Sequence, residues 1–541
     1  MQGLMMDYPL TLTPLLDRAR RLFPNKEVVT KAGPGVERST YGQIGARVER
    51  LANALVALGV APGDRVATFA WNNTRHLELY FAIPCMGAVL HPINLRLPGD
   101  QIAYILNHAE DKVLFVDPSL LSAVEKLAPH LKTVQHYVVM AETVPETTLS
   151  PVHGYEELLR AAPADFAWPK LAEQDAAAMC YTSGTTGHPK GVLYTHRSIY
   201  LHSLGISMAD SFGFSERDTF MPVVPMFHVL AWGTPFAATM LGMKQVFPGP
   251  HLTPPDLAGL LQSERVTLTA GVPTLWLGLL GLLDKEHYDL SQLRGMIVGG
   301  AAAPRSMIEA YEQRHGLHVM HAWGMTEMSP LGTVSRLKSY QADLPEAERF
   351  ALRAKQGTPV PGVEIRAIDE NAQPVPWDGK TLGELQVRGP WIISSYYKDD
   401  RSADSFVDGW FRTGDVVVID PEGFVQIVDR TKDLVKSGGE WISSQDLENA
   451  IMAHPKVLEA AVIAVPHPKW QERPLACVVA KPDFKGELTK AEIYDHLRPL
   501  FPSMYLPDDI VFIDSVPKTS VGKFNKKALR EVYKSFEESS G

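Results

Sequence analysis

The densest group of hydroxyl, glycine and lysine residues in the chain lies between Thr182 and Gly191. The segment reads Thr182, Ser183, Gly184, Thr185, Thr186, Gly187, His188, Pro189, Lys190 and Gly191. Its glycines let the backbone approach a ligand closely, and its four hydroxyls and exposed N–H groups can surround phosphate oxygens. Lys190 adds a positive charge. The segment therefore predicts a phosphate-binding loop rather than an ordinary flexible surface loop.

This loop is not a Walker A loop, and that narrows the chemistry. His188 and Pro189 separate Gly187 from Lys190, so the Gly-Lys-Ser/Thr ending of a P-loop is missing. A P-loop ATPase or kinase is accordingly not expected. The chain also has no Gly-x-Ser-x-Gly segment, so a serine hydrolase would lack its usual nucleophile.

Two further segments could bind a nucleotide. In the segment from His321 to Glu327, the aromatic face of Trp323 can stack on a purine, and Glu327 offers a hard oxygen ligand. In Phe411–Asp415, an aspartate that follows a glycine turn can accept hydrogen bonds from ribose hydroxyls. Either segment alone is weak evidence, because Thr-Glu often starts a helix and Asp after Gly is common in turns.

The predicted helices and strands that must position these residues divide the chain into three regions with different secondary-structure patterns. Up to about Pro359, strands and helices alternate, which favours an α/β architecture with largely parallel sheets. Thr40 and Gln43 form a capping box at the start of one helix. After Pro359 the segments are short and β-rich, as in a small barrel or sheet, and the last hundred or so residues are typical of an α+β unit. The charged stretch Asp429–Lys436 is the expected joint.

Bulk properties exclude several classes of protein. A chain of 541 residues is too long for one core. Its net charge of −10 argues against broad nucleic-acid binding. Three separated cysteines predict reduced thiols, with neither a disulfide framework nor a zinc site. The apolar run Val272–Leu283 is too short to span a bilayer, and residues 1–10 do not form a signal peptide. A soluble, cytoplasmic protein is therefore expected.

The motifs occur in an order that resembles the acyl-adenylate-forming superfamily, which includes acyl-CoA synthetases, peptide-synthetase adenylation domains and luciferases. The resemblance covers nearly the whole chain. It departs from the commonest pattern at Trp323, where tyrosine is usual, and at Ala322, where glycine is usual. It implies a large N-terminal domain, residues 1–430, of two α/β subdomains plus a small β-barrel. It also implies a small mobile α+β domain, residues 431–541, that pivots near Lys432.

The resemblance also assigns site residues. Mg²⁺ would be held by Glu327 and Thr182, and Lys523 would act in adenylation. ATP and AMP would contact a larger set: Thr182, Ser183, Gly184, Thr185, Thr186, Gly187, Lys190, Gly300, Ala301, His321, Ala322, Trp323, Gly324, Met325, Thr326, Asp415, Arg430, Lys432, Lys436, Trp441 and Lys523. The acyl group would contact His228, Val229, Trp232, Gly299 and Gly300. The hinge and the CoA side would include Lys432, Ser437, Gly438 and Gly439.

The segment Val223–Trp232 resembles the acyl-site region of bacterial medium- and long-chain fatty-acid–CoA ligases. In such relatives the residue matching Trp232 gates a fatty-acyl tunnel, although a core strand with a buried aromatic is also compatible. The resemblance implies conversion of a fatty acid, ATP and CoA to acyl-CoA, AMP and diphosphate, and a homodimer. Alternatives are a short acid such as 3-methylmercaptopropionate, an adenylation module that loads a carrier protein, or a non-catalytic acyl sensor.

Overall fold

The computed structural model describes residues 1, 3–182, 188–437, 440–518 and 524–534, with only the backbone of Arg401 and Glu440. Four β-sheets organise these residues. The first sheet has seven strands, which in spatial order are Val152–Gly154, His136–Val139, Asp111–Val116, Arg65–Phe69, Val89–Pro92, Ala176–Tyr181 and Gly191–Thr195. All neighbours are parallel except the last two strands, which form an antiparallel hairpin.

The second sheet has nine strands. In spatial order they are Thr358–Pro359, Leu331–Val334, Val319–Gly324, Gly295–Val298, Leu268–Gly271, Thr219–Pro222, Lys244–Phe247, Glu27–Ala32 and Gly35–Thr40. The six strands from Val319–Gly324 to Glu27–Ala32 are parallel, and antiparallel partners close both edges. Strands such as Gly295–Val298 are buried at every position, which is typical of parallel sheets covered on both faces.

Twelve α-helices in the described part of the chain before residue 430 pack around these two sheets. They are Thr13–Leu22, Tyr41–Ala57, Thr74–Cys85, Gly99–Ala109, Leu121–Leu127, Tyr155–Ala161, His196–Ser207, Thr234–Leu241, Pro254–Ser263, Pro273–Leu283, Arg305–His315 and Glu346–Ala354. The capping box predicted at Thr40 and Gln43 is present. The apolar run near Val272 forms a helix whose Trp276 is fully buried while Leu277 is 46% exposed, so core packing accounts for one face of the helix.

The third sheet is antiparallel and β-rich, as predicted after Pro359. It contains Glu364–Ile368, Gly383–Arg388, Trp410–Ile419 and Phe406–Val407, and Val425–Arg430 also pairs with Trp410–Ile419. One hydrophobic core continues from the first two sheets into this one, because Leu12, Phe236 and Val417 belong to a single cluster. The third sheet is therefore part of the large α/β body.

The last described residues form an α+β unit with cores of its own. The strands of its sheet are Glu440–Ile442, Val435–Ser437, Gln471–Ala480 and Val457–His467, with Asp509–Phe512 paired to Gln471–Ala480. Its helices are Ser444–Met452, Lys490–Leu497 and Lys526–Val532. Both of its hydrophobic clusters draw only on residues 435–533. The predicted fold class is confirmed, while the boundary between residues 430 and 431 stays a prediction.

Cys85, Cys180 and Cys477 are all buried and unbridged, as predicted. Within the described ranges, no helix has both the length and the apolar character needed to cross a membrane.

Candidate active site

The predicted phosphate loop joins the two strands of the antiparallel hairpin in the first sheet. Residues Ser183, Gly184, Thr185, Thr186 and Gly187 lie outside the described residues. At the base of the loop, the N–H of Thr182 donates to the carbonyl of Lys190 (2.9 Å), and the N–H of Lys190 donates to Thr182 Oγ1 (3.3 Å). These bonds bring the predicted magnesium hydroxyl and the predicted phosphate lysine to the same end of the hairpin.

Lys190 lies in an aromatic and acidic environment. Its Nζ atom is 4.4 Å from the centroid of the Tyr396 ring and 3.8 Å from Asp399 Oδ2. An ammonium over an aromatic face is attracted by the ring quadrupole, so the ring helps to hold the side chain in place. Neither Tyr396 nor Asp399 was singled out from the sequence, because both follow the third sheet's Gly383–Arg388 strand and meet the loop only through the fold.

Glu327 is a buried carboxylate with one strong donor. It lies in a short 3-10 turn, Thr326–Met328, and is 7% exposed. Tyr396 Oη donates to Glu327 Oε1 at 2.7 Å. Burial raises the pKa of the Glu327 carboxyl, whereas the Tyr396 hydrogen bond and the positive charges of Arg430 and Lys190 lower it. The same tyrosine therefore contacts both Glu327 and Lys190.

Trp323 and Arg430 hold the two oxygens of the Asp415 carboxylate. The indole Nε1–H of Trp323 donates to Asp415 Oδ2 (3.1 Å), and Arg430 Nε pairs with Asp415 Oδ1 (2.7 Å). Asp415 and Arg430 are opposite each other on neighbouring antiparallel strands. Asp415 is 2% exposed. The tryptophan that replaces the usual tyrosine thus contributes a hydrogen-bond donor to the predicted ribose carboxylate as well as an aromatic face.

The other predicted nucleotide residues between His321 and Thr326 lie on, or just after, the strand that carries Trp323. His321, Ala322, Trp323 and Gly324 occupy the strand Val319–Gly324, followed by Met325 and Thr326. His321 Nδ1 bonds the carbonyl of Ala354 (3.0 Å), and its Nε2 accepts from Ala303 N–H (3.3 Å). Burial lowers the pKa of His321 to about 4, so the ring is neutral. Both ring nitrogens of His321 are therefore bonded to the backbone, which links its strand to the segments of Ala303 and Ala354. A direct contact between the His321 ring and a nucleotide stays a prediction.

Residues Val229–Trp232 of the predicted acyl segment do not form a strand, so the strand alternative is wrong, although Trp232 is buried as that alternative expected. Val229, Leu230, Ala231 and Trp232 all have positive φ, from 47 to 59°, and Gly233 follows at 68°. They form one left-handed turn, a conformation that costs an L-residue roughly 1–2 kcal/mol. The Asn72 side chain stabilises the approach to it: Nδ2 donates to Pro222 and Val224 carbonyls, and Oδ1 accepts from Met226 N–H. Backbone strain of this kind marks functional sites.

A small cavity adjoins this turn. Its volume is about 30 Å³, and its lining residues are Arg96, Val223, Val224, Pro225, Phe227, His228, Trp232, Val272, Leu275 and Gly300. Trp232 is 8% exposed, and a Cβ added at Gly299 would lie 3.0 Å from its ring. Gly300 has φ +81°, and Ala301 follows it at the surface. A cavity of this size is small, so space for an acyl chain beside Trp232 requires a change of conformation.

The predicted hinge residues that the structure describes make contacts within the last unit. Lys436 lies 5.8 Å from the Trp441 ring, its partner on the hairpin, and Ser437 Oγ accepts from Arg473 Nη1 (3.0 Å). Burial lowers the pKa of Lys432. Gly438, Gly439 and Lys523 lie outside the described residues. The roles predicted for all of these residues stay predictions.

An α/β body that gathers a phosphate-type loop, a buried Glu327 and the Trp323–Asp415–Arg430 group defines an adenylate-forming enzyme. The family model described as AMP-binding enzyme matches residues 16–397, and the one described as AMP-binding enzyme C-terminal domain matches residues 446–523. The chain therefore belongs to the AMP-binding enzyme family.

Curated relatives align over nearly the full chain. The long-chain-fatty-acid–CoA ligase of Thermus thermophilus is 53% identical, over 98% of this chain and 97% of its own. The 3-methylmercaptopropionyl-CoA ligase of Ruegeria lacuscaerulensis is 45% identical, over 99% of both chains. The medium-chain-fatty-acid–CoA ligase of Ectopseudomonas oleovorans is 43% identical, over 98% of both.

Solved structures share the fold along the whole length. The anthranilate CoA ligase AuaEII in complex with anthranoyl-AMP superposes with a TM-score of 0.85 at 26% identity, and 98% of each chain is covered. ATP-bound MatB from Rhodopseudomonas palustris gives a TM-score of 0.82 at 27% identity, covering 97% of this chain and 99% of its own.

Gly233 tests the left-handed turn. A Cβ at this position would lie 2.7 Å from His202 Nδ1, and the residue's φ of +68° is unfavourable for alanine. We expect Gly233→Ala to lower the free energy of unfolding by about 1–3 kcal/mol, measured by urea denaturation. Gly281→Ala is the matched control: it lies in the helix Pro273–Leu283 with no atom within 4 Å of the added Cβ. Equal effects of the two substitutions would contradict the strained turn.

Proposed function

We propose that this protein is an AMP-forming fatty-acid–CoA ligase, which activates a medium- to long-chain acid as an acyl-adenylate and transfers the acyl group to CoA. The observation that carries the proposal is the set of contacts made by Lys190, Glu327 and Asp415, which come from segments of three different sheets: Tyr396 contacts both Lys190 and Glu327, and Trp323, four residues before Glu327, bonds Asp415. Membership of the AMP-binding enzyme family and the full-length similarity to acyl-CoA ligases support the same reaction.

The nucleotide would occupy the region between the phosphate loop and the Trp323–Asp415 pair. Asp415 keeps lone pairs free beside its bonds to Trp323 and Arg430, so it can still accept from ribose hydroxyls. Lys190 lies at the start of the strand that follows the loop, where it can meet the β- and γ-phosphates. This placement supports adenosine at one end and triphosphate at the other.

Magnesium is the divalent ion we propose for the site. Within the described ranges, no cluster of three or more His, Cys, Asp or Glu side chains could hold a metal ion. Mg²⁺ commonly binds through one or two carboxylates together with substrate phosphates and water, so a single buried carboxylate is a suitable donor. Glu327 and Thr182 would hold the ion, which when bound neutralises phosphate charge. A nucleotide-dependent magnesium site therefore fits these residues.

The first half-reaction brings a carboxylate to the α-phosphorus of ATP, and both groups are negatively charged. Positive groups must therefore be fixed in advance around the reacting atoms. Lys190 contributes one such charge at the loop, and we assign Lys523 to the α-phosphate and the attacking carboxylate. Pyrophosphate leaves, and the acyl-adenylate remains as a mixed anhydride.

The second half-reaction needs no protein nucleophile, because the CoA thiol attacks the acyl carbon and AMP leaves. We propose that the unit after residue 430 rotates about the joint near Lys432, which withdraws Lys523 and brings in the side formed by Ser437, Gly438, Gly439 and Trp441. The separate hydrophobic cores of this unit support its movement as one body.

The acid is the least constrained substrate. The lining residues beside Trp232 are mostly apolar, which favours an aliphatic chain over a charged one. Neighbouring chain lengths differ by only about 0.8 kcal/mol per buried methylene, so selection by length is expected to be broad. A short acid such as 3-methylmercaptopropionate is the second candidate, since two relatives at 45 and 46% identity are ligases of that acid. A homodimer stays a prediction from the resemblance, and a cytoplasmic location stays a prediction from the sequence.

The purified protein tests the proposal directly. With Mg²⁺, CoA and acids of about four to sixteen carbons, we expect AMP, pyrophosphate and acyl-CoA in equal amounts, with ATP–pyrophosphate exchange before CoA is added. Chromatography of the nucleotides and thioesters measures the products. Removal of the metal with EDTA should stop exchange. Absence of AMP with every acid would refute the proposal.

Lys523 separates the two half-reactions. We expect Lys523→Ala to lower ATP–pyrophosphate exchange at least about a hundredfold, the loss typical of one missing charge-stabilising donor. Thioester formation from a synthetic acyl-adenylate should persist, because the thiol supplies its own nucleophile. Lys527→Ala, a neighbouring lysine, is the control. Equal loss of both half-reactions in the Lys523 variant would contradict this division.

Trp232 governs access for the acyl chain. Because its indole packs against Gly299 beside a cavity of about 30 Å³, its removal should open space for a longer chain. We expect Trp232→Ala to raise the ratio of kcat/KM for sixteen- over eight-carbon acids by about tenfold, equal to ~1.4 kcal/mol. The exposed Trp377→Ala is the control. An unchanged ratio in the Trp232 variant would exclude the gate.

A further inference from the structure

Tyr396 touches two groups of opposite charge that the reaction uses. Its hydroxyl donates to Glu327 Oε1 at 2.7 Å, and its ring face lies 4.4 Å from Lys190 Nζ. The hydroxyl and the ring are two different binding elements, so one buried side chain serves both the carboxylate and the ammonium. In this bond the phenolic hydroxyl is the donor and the carboxylate oxygen is the acceptor.

The backbone around Tyr396 is anchored to the same two segments. The N–H of Ile393 donates to the carbonyl of Glu327 (3.0 Å), and the N–H of Tyr397 donates to the carbonyl of Gly191 (2.9 Å), the residue after Lys190. Tyr396 N–H itself donates to Ser402 Oγ (2.9 Å). The segment from residue 393 to 397 therefore bridges the Glu327 turn and the end of the phosphate loop through main-chain bonds that a side-chain substitution leaves in place.

We propose that Tyr396 is a positioning residue for the adenylation step: its hydroxyl orients the Glu327 carboxylate toward Mg²⁺, and its ring seats the Lys190 ammonium toward the phosphates. This inference rests on the proposed function and on Glu327 as the metal carboxylate. A carboxylate that is buried and already bound at one oxygen cannot swing away when the nucleotide is absent, so less order has to be imposed when the metal nucleotide binds.

The two roles separate by substitution. Tyr396→Phe removes the hydroxyl and keeps the ring, whereas Tyr396→Leu removes both. Losing a hydrogen bond to a charged group should weaken metal binding about tenfold. We expect the Phe variant to need about tenfold more Mg²⁺ for half-maximal ATP–pyrophosphate exchange and to recover its rate at saturating Mg²⁺. The Leu variant should also show a higher KM for ATP at saturating metal.

Mn²⁺ binding in the presence of a non-hydrolysable ATP analogue, followed by electron paramagnetic resonance, gives a readout independent of turnover. The Phe variant should bind Mn²⁺ about tenfold more weakly. Tyr397→Phe is the matched control, since it makes the same chemical change one residue away and does not touch Glu327. In a Glu327→Gln background, Tyr396→Phe should have no further effect on Mn²⁺ binding, because the hydroxyl acts through that carboxylate.

The outcomes separate this inference from the proposed function. If the wild-type protein forms no AMP with any acid, the proposed function fails. If the wild type is active but the Phe variant binds Mn²⁺ like the Tyr397 control, the positioning role is wrong. A Phe variant with an unchanged circular dichroism spectrum that loses activity equally at all Mg²⁺ concentrations would also overturn it, since that result indicates a general structural role.

Discussion

The site depends on holding two buried carboxyl groups in fixed orientations. Glu327 and Asp415 are both almost fully buried, and burial disfavours the charged form of a carboxylate. The two carboxyl groups have different partners. Asp415 is paired with Arg430 and accepts a hydrogen bond from Trp323, whereas Glu327 accepts one from the Tyr396 hydroxyl and has positive charges only at greater distance. Asp415 is thus already paired with an adjacent guanidinium, whereas a bound cation would stabilise the charged form of Glu327, whose pKa is raised by burial. This difference suits one carboxylate to a ribose and the other to a metal ion.

Only part of the site can be predicted from the sequence. The phosphate loop, Trp323, Glu327 and Asp415 are visible because their chemistry is concentrated in short segments or matches a family order. Tyr396 could not be predicted, because a tyrosine in a Tyr-Tyr-Lys segment gives no local signal of function. Its partner Glu327 lies 69 residues away in the sequence. The resemblance implies that Arg430 acts beside Asp415, but their direct pairing depends on strand register, which the sequence of one strand does not specify.

The fold could be predicted from the sequence more completely than the site. The strand alternative for the segment around Val229 was wrong, and the reason is physical. Alternating strands, the capping box at Thr40 and the change of texture after Pro359 all follow from local pattern, and all are present. The strand alternative for the segment around Val229 fails because no apolar pattern predicts four consecutive non-glycine residues with positive φ. Only tertiary bonds, such as those of Asn72 to the preceding segment, can maintain a conformation that local preference opposes.

The contacts at the joint between the large body and the last unit are mainly hydrogen bonds. Asp429 accepts bonds from the N–H and the hydroxyl of Ser444, Ser443 Oγ donates to the carbonyl of Val428, and Lys526 Nζ donates to Ser444 Oγ. These contacts are polar and directional, whereas each unit's apolar residues are buried in clusters of its own. Polar contacts can be exchanged for water at a small net cost, which apolar burial does not permit. The polar character of the joint is therefore consistent with rotation of the last unit, which stays a prediction.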